Sequence, residues 1–371
     1  MNLIFTIAAL IQCGYVLYLF VRVSFIREGK AAPESARQPV SVIICARNQA
    51  ENLSRFLPII LTQDYRDGMG RPMYEVIVVN DLSDDGTAQV LEDLGSQYSH
   101  LRVVMIGPDM ARNLKGKKFA LHQGQKAARY GWLLLTDADC RPSGSNWLAL
   151  MTAPFAAGKE IVAGYGGYEF AHGLLNAFTR WETLHTFVQY ASASLAGLPY
   201  MAVGRNMACT RAVLRQAEQG KTWNTIPSGD DDLLVRNTGT RANTALVVAP
   251  GAFTFTTAHT AWKDWVNQKQ RHLSTGKYYK TGIKVLLGIY ALSHALLWLS
   301  FFWLFFTAPT PYLFALMSIR CLLYWLIWGI AAYKTGEKKL FYWFPLFDIG
   351  WMIYNFAFLP YITCKNKQQW T

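Results

Sequence analysis

The stretch YEVIVVNDLSDDGT, residues 74–87, sets the architecture. It opens as an apolar run rich in valine and isoleucine. It then turns into a polar, acidic loop closed by Gly86. A strand buried on both faces and ending at a polar loop reads this way. The pattern recurs on either side. Val40–Ala46 leads into Arg47-Asn48, residues 132–136 lead into Asp137-Ala138-Asp139-Cys140, and Leu101–Ile106 is another apolar run. Helical periodicity over 52–63, 87–98 and 119–130 separates them. Strands alternating with helices predict a parallel α/β sheet covered on both faces. Ligands of such sheets bind beyond the carboxyl ends of the strands.

Those ends carry chemistry. Asp137 and Asp139, one residue apart past a strand, are hard oxygen ligands suited to Mg²⁺ or Mn²⁺, which Mg²⁺ sites share with substrate phosphates. Asp81 is placed to hydrogen-bond a nucleoside at the neighbouring edge. Plainer readings exist for each cluster. Asp81, Ser83, Asp85, Gly86 and Glu92 approach the spacing of a calcium loop, although a strand precedes them where that loop needs a helix. The Asp137 pair reads equally as a solvated turn with cap residues. Asp230-Asp231-Asp232 after Gly229 suits a helix N-terminus, whose dipole favours acids. Residues 268–272 (QKQRH), after Trp262 and Trp265, suit a cationic membrane-surface segment. His259 reads as a structural histidine ahead of a third metal ligand.

The composition points to a membrane. The 371 residues carry 36 Lys+Arg against 24 Asp+Glu, a net +12, with 52% hydrophobic and 16% charged residues, where soluble chains carry roughly 25% charge. Mean hydropathy is +0.11. Disorder and a disulfide scaffold are excluded, and nucleic-acid binding would explain the charge but not the apolar excess. About 20 apolar residues cross a bilayer. One such stretch covers 3–22 and three more cover 284–306, 310–332 and 340–363. The first has no preceding basic residue and no small-residue cleavage site, so a retained anchor is expected. Arg22, Arg27, Lys30 and Arg37 after it, and Lys269, Arg271, Lys277, Lys280 and Lys284 before the second, place residues 23–283 in the cytoplasm by the positive-inside rule. Lys365 and Lys367 oppose this. Six cysteines without CxxC spacing (13, 45, 140, 209, 321, 364) are expected as buried free thiols. Arg320 and Asp348 fall within spans, as an interhelical ion pair or as contacts to a polar acceptor head group. Residues 170–200 read as an interfacial amphipathic helix lining an acceptor path, with domain core as the alternative.

The ordered set resembles the membrane-integrated family 2 glycosyltransferases, the branch of cellulose, hyaluronan and poly-N-acetylglucosamine synthases with ceramide glucosyltransferase as a relative. The resemblance rests on VSVIICARNQAENL (40–53), VVNDLSDDGT (78–87), GKKFAL (116–121), LLLTDADC (133–140), GRNMA (204–208), GDDDLL (229–234) and 268–272. It implies a Rossmann-like glycosyltransferase-A domain over 38–260, after a membrane helix at 1–24. An interfacial QxxRH segment at 261–283 and three membrane helices over 284–363 follow. By position it implies Asp81 at the nucleoside, Lys117 near the phosphates, and Asp137 and Asp139 as the DxD metal pair. It implies Asp231 as general base behind Asp230, and Gln268 and Arg271 near diphosphate and acceptor. Arg47 joins the donor side, and Asn206 and His272 the acceptor side. His272 stands where the family pattern has tryptophan, which argues against long-chain polymerisation. The implied activity is inverting transfer from a nucleotide sugar, UDP-linked on the family pattern, to a membrane-borne lipid. The alternatives are a processive β-glycan synthase and a catalytically silent nucleotide-sugar-binding subunit.

Overall fold

A computed structural model describes residues 1–112, 114–227 and 229–363. The chain forms two units. One is built from Arg27–Ala171 and Met201–Thr260, the other from Met1–Ile26, His172–Tyr200 and 261–363. Residues 172–200, expected inside the 38–260 domain, therefore group with the apolar helices instead.

The first unit is a mixed α/β sheet unit. Its strands are β1 (Val40–Ala46), β2 (Tyr74–Asp81), β3 (Leu101–Ile106), β4 (Trp132–Asp137), β5 (Cys140–Pro142), β6 (Ile161–Gly164), β7 (Gly166–Tyr168), β8 (Met207–Thr210), β9 (Thr244–Val247) and β10 (Thr254–Thr256). Seven form one sheet in the order β3-β2-β1-β4-β8-β6-β9, and β5-β10-β7 form a small second sheet. The four strands foreseen in the sequence are parallel. β8 runs antiparallel to β4 and β6. Every residue of β1 and β2 is buried, which is why they read as continuous apolar runs. Val42, Ile44, Val76, Val78 and Leu134 meet Leu53, Leu57 and Ile60 of the covering Ala50–Leu61 helix in one core. Asp85 accepts from the backbone N–H of Ala50 and of Thr87, while Asn48 (φ +52) accepts from Asp84 N–H. Asp85 thus caps two helices rather than forming a calcium loop.

In the second unit, three helices among the described residues are long and apolar enough to cross a membrane: Asn2–Phe25, Thr281–Thr307 and Pro311–Lys334. The fourth expected span differs. Its start, Lys338–Trp343, is a 3₁₀ turn, and Phe344–Thr363 carries Asp348, Asn355 and Pro360, which dilute its apolarity. Asp348 does pair with Arg320, which also donates to Gln12 Oε1 at 3.2 Å. Gln12 in turn donates to Ser293 Oγ (2.8 Å) and Tyr290 O (2.9 Å), and His294 Nε2 lies 3.0 Å from Asp348 Oδ1. One polar network thus joins four helices. The Leu174–Leu195 helix is not an interfacial amphipath. Trp181, Leu184, Phe187 and Ala191 are buried on successive faces, and so are Arg180, Glu182 and His185. Its charges are paired, Arg180 with Glu337 and Glu182 with Lys269. Buried side chains on all sides make it core. Cys13, Cys45, Cys140 and Cys209 are buried free thiols and Cys321 is half-buried; Cys364, Lys365 and Lys367 lie outside the described residues.

Candidate active site

The β2-β1-β4 register brings the predicted acids together. Ala46 pairs with Asn80 on one side, and Cys45 with Asp137 on the other. Asp81 and Asp137 therefore flank the end of β1, with Arg47 just beyond it. Asp81 is fully buried, and Arg112 grips both of its oxygens: one guanidinium nitrogen donates to Oδ2 at 3.3 Å and the other to Oδ1. The same guanidinium lies 5.3 Å from the Phe119 ring centre. Arg112 was missed by sequence reasoning. It lies in an aperiodic segment, where one basic residue among several (Lys115, Lys117 and Lys118 follow) gave no signal of its own.

Lys117 opens the Lys117–Ala127 helix. Its ammonium donates to Asp137 Oδ1 and lies 3.8 Å from Asp230 Oδ2. Burial works against this charge, yet Asp137 and Asp230 hold its pKa well above the usual lysine value. The preceding Gly116 (φ +60) sits so close to Pro227 that a Cβ would lie 2.6 Å from the Pro227 oxygen. Lys118 points the other way. It is buried and donates to the carbonyls of Trp223 (3.0 Å) and Ile226 (2.8 Å). These contacts fix the acidic loop against the lysine helix, so Asp230 and Asp231 arrive beside Lys117.

Asp231 lies in the first turn of the Asp230–Thr238 helix, after Gly229 in a left-handed conformation. Its Oδ2 accepts from Gly204 N–H at 2.7 Å and its Oδ1 from Asp232 N–H at 2.8 Å. Burial and the Asp230 charge push its pKa from 3.8 up to about 6, against the pull of those two N–H groups and Lys117. A carboxylate so tuned accepts a proton near neutrality.

The donor set fits a divalent ion. Asp137, Asp139 and Cys140 each offer one atom, all within 4.8 Å of one another, and no other such group of three occurs among the described residues. Two half-buried carboxylates, one already drawing a cation, match a hard ion. Burial pushes the Cys140 thiol well above its usual pKa, with Asp139 and Asp137 adding to it. The thiol stays protonated and donates to Asp139 Oδ1 at 3.2 Å. Thr256 donates to Asp139 Oδ2 at 2.9 Å. His259 packs beside Tyr168, with ring centres 5.5 Å apart, and is not in the group.

Two expectations fare differently. Asn206 is not turned to an acceptor. Fully buried, it accepts from Trp147 Nε1 (3.0 Å) and donates to Tyr165 O and Ala252 O (2.8 Å each). These bonds use the amide to pin β8 into the sheet. Gln268, Arg271 and His272 share one face of the Trp262–Leu273 helix by i, i+3, i+4 spacing. That helix belongs to the other unit.

Comparisons with known proteins bear on the family and the fold. The sequence profile described as "Glycosyltransferase like family 2" matches residues 37–275. The probable glycosyltransferase YdaM of Bacillus subtilis is 25% identical over 279 residues, 72% of this chain and 62% of YdaM. Glycosyltransferase AglE of Haloferax volcanii is 27% identical over 135 residues, 36% of this chain and 41% of AglE. The chain thus spans less than two thirds of the length of either relative. Mannosyltransferase PcManGT from Pyrobaculum calidifontis, solved with GDP-Man and Mn²⁺, matches over 95% of this chain and 98% of its own, with a TM-score of 0.57 and 17% identity. That likeness is one of fold.

Proposed function

The chain belongs to glycosyltransferase-like family 2, and we propose that it moves one sugar from a nucleoside-diphosphate sugar to a membrane-borne lipid, inverting the anomeric carbon. The observation that carries this reading is Asp231. It is a carboxylate with a raised proton affinity, held by Gly204 N–H in the same unit as Asp81 and the Asp137/Asp139 pair. In this reading Asp81 accepts from the donor's nucleoside and Arg47 lies at the donor side. Asp137 and Asp139 would hold Mg²⁺ or Mn²⁺, which when bound offsets the charge of the departing diphosphate. Lys117, already ionised, adds fixed positive charge for the same oxygens. Asp231 takes the proton of the acceptor hydroxyl as its oxygen forms the new bond and the diphosphate leaves. Asp230 keeps the proton affinity of Asp231 high. Gln268 and Arg271 are assigned to the diphosphate on the family pattern alone, and His272 to the acceptor.

We further infer a membrane-integral protein whose sheet unit faces the cytoplasm, on the distribution of Lys and Arg beside the apolar helices. The UDP preference is inherited from the family pattern. Since the fold match extends to a protein solved with GDP-Man, the test must span both nucleotides. Purified protein in mild detergent, with Mn²⁺ or Mg²⁺, a panel of UDP- and GDP-sugars and a total lipid extract, would be assayed for nucleoside diphosphate release and by mass spectrometry of lipids. One sugar added to one lipid class supports the reading. A ladder of added sugars would replace it with a processive synthase, and nucleotide binding without turnover with a silent subunit.

A further inference from the structure

The small β5-β10-β7 sheet has no part in the roles assigned above, yet it meets the candidate metal site at one point. Its register pairs Thr256 with Cys140 on one side and with Tyr168 on the other. Cys140 directly follows Asp139. Thr256 and Cys140, at 5% and 1% exposure, reach Asp139 from two directions. The hydroxyl donates to Oδ2 at 2.9 Å and the thiol to Oδ1 at 3.2 Å. One donor on each oxygen blocks rotation of the carboxylate. Each oxygen keeps a lone pair outside those bonds. Groups that orient a ligating carboxylate matter nearly as much as the ligand itself.

We propose that Thr256 is the positioning residue for Asp139, and that β10 serves the reaction by holding the Thr256 hydroxyl in register with Cys140. The proposal rests on Asp139 being a metal ligand. It adds that Cys140 acts as a proton donor to that ligand and not as a third ligand. A threonine at this register position is specific in a way its β-propensity is not, because valine would fill the same strand site equally well.

The test measures metal binding directly, without turnover. Full-length protein in detergent is titrated with Mn²⁺ alone, and free ion is followed by electron paramagnetic resonance. Thr256→Val removes only the hydroxyl and is expected to weaken Mn²⁺ binding about 10- to 100-fold. Thr256→Ser restores the donor and the affinity. Cys140→Ala weakens binding in the same direction, and Cd²⁺ added to the wild type gives no sulfur-to-metal charge-transfer absorption. Thermal unfolding without metal confirms that the variants fold, and Thr256→Ala, which also lacks the hydroxyl, carries the comparison if the valine variant does not fold. Wild-type affinity in Thr256→Val, with Asp139→Asn defective, overturns the proposal and leaves the ligand intact. Wild-type affinity in Asp139→Asn overturns both. A charge-transfer band with Cd²⁺ would make Cys140 a ligand and remove its positioning role.

Discussion

If Asp231 is the base, its protonation sets the acid limb of the rate. With a pKa of about 6, roughly a tenth of the carboxyl is ionised at pH 5 and roughly nine tenths at pH 7. The rate should therefore rise about tenfold between those values and level off above. Asp231→Asn keeps the size but cannot take the proton, and its amide nitrogen cannot accept the N–H bond that the second carboxylate oxygen accepts. It should cost about 10²- to 10⁴-fold in kcat/KM, or roughly 3–5 kcal/mol, and abolish the limb. Asp230→Asn removes a charge that raises Asp231 and should move the limb below 6. The assay is nucleoside diphosphate release from pH 5 to 8.5 with saturating metal. A limb near 6 that survives in Asp231→Asn, or a loss of under about tenfold, would refute the assignment.

Other consequences are measurable. Because its raised pKa means that folded Asp231 holds a proton more tightly than the unfolded chain does, this side chain burdens stability above about pH 6 and not below 3.8. Asp231→Asn loses one of the two N–H bonds at every pH, so the readout is its stability relative to wild type, which should shift in the variant's favour by up to about 3 kcal/mol, at roughly two pKa units, between pH 4 and pH 7.5; thermal unfolding in which that difference does not change with pH counts against the buried-acid picture. Arg112→Ala frees Asp81 from a partly exposed partner worth up to about 1 kcal/mol, so calorimetry should show the donor nucleotide binding up to about fivefold tighter. Weaker binding would make Arg112 a nucleotide contact instead. Arg320→Leu or Asp348→Leu alone leaves a buried charge and should cost about 3–5 kcal/mol, while the double variant recovers most of it; thermal unfolding in detergent that shows the double as the sum of the singles would refute the pairing.

The central strands and acids were legible because two independent signals coincided there. Unbroken apolar runs marked strands buried on both faces, and acids at their ends survive only in a crevice. Residues whose work is done by tertiary contact were not legible. Arg112 lies in a stretch without period, and Thr256 in a three-residue strand too short to show one, though the Phe253–Thr257 alternation hinted at it. Asn206 was placed at the acceptor by the family resemblance of GRNMA (204–208), when its amide is engaged by Trp147, Tyr165 and Ala252 within the sheet unit. The Leu174–Leu195 helix misled for a related reason. Its Arg180 and Glu182 resembled a solvent face because their partners, Glu337 and Lys269, are remote in sequence.

The polar network among the apolar helices bears on the order in which the protein can be made. Gln12 and Arg320, joined in the finished molecule, are 308 residues apart. At about 5–20 residues per second, the first helix emerges roughly fifteen to sixty seconds before its partner exists. A glutamine tolerates that wait far better than an arginine or aspartate would. In the membrane-integral reading proposed above, the chain has put its mildest polar group in the first helix, and the costly charges, Arg320 and Asp348, in two late helices where they meet as an ion pair.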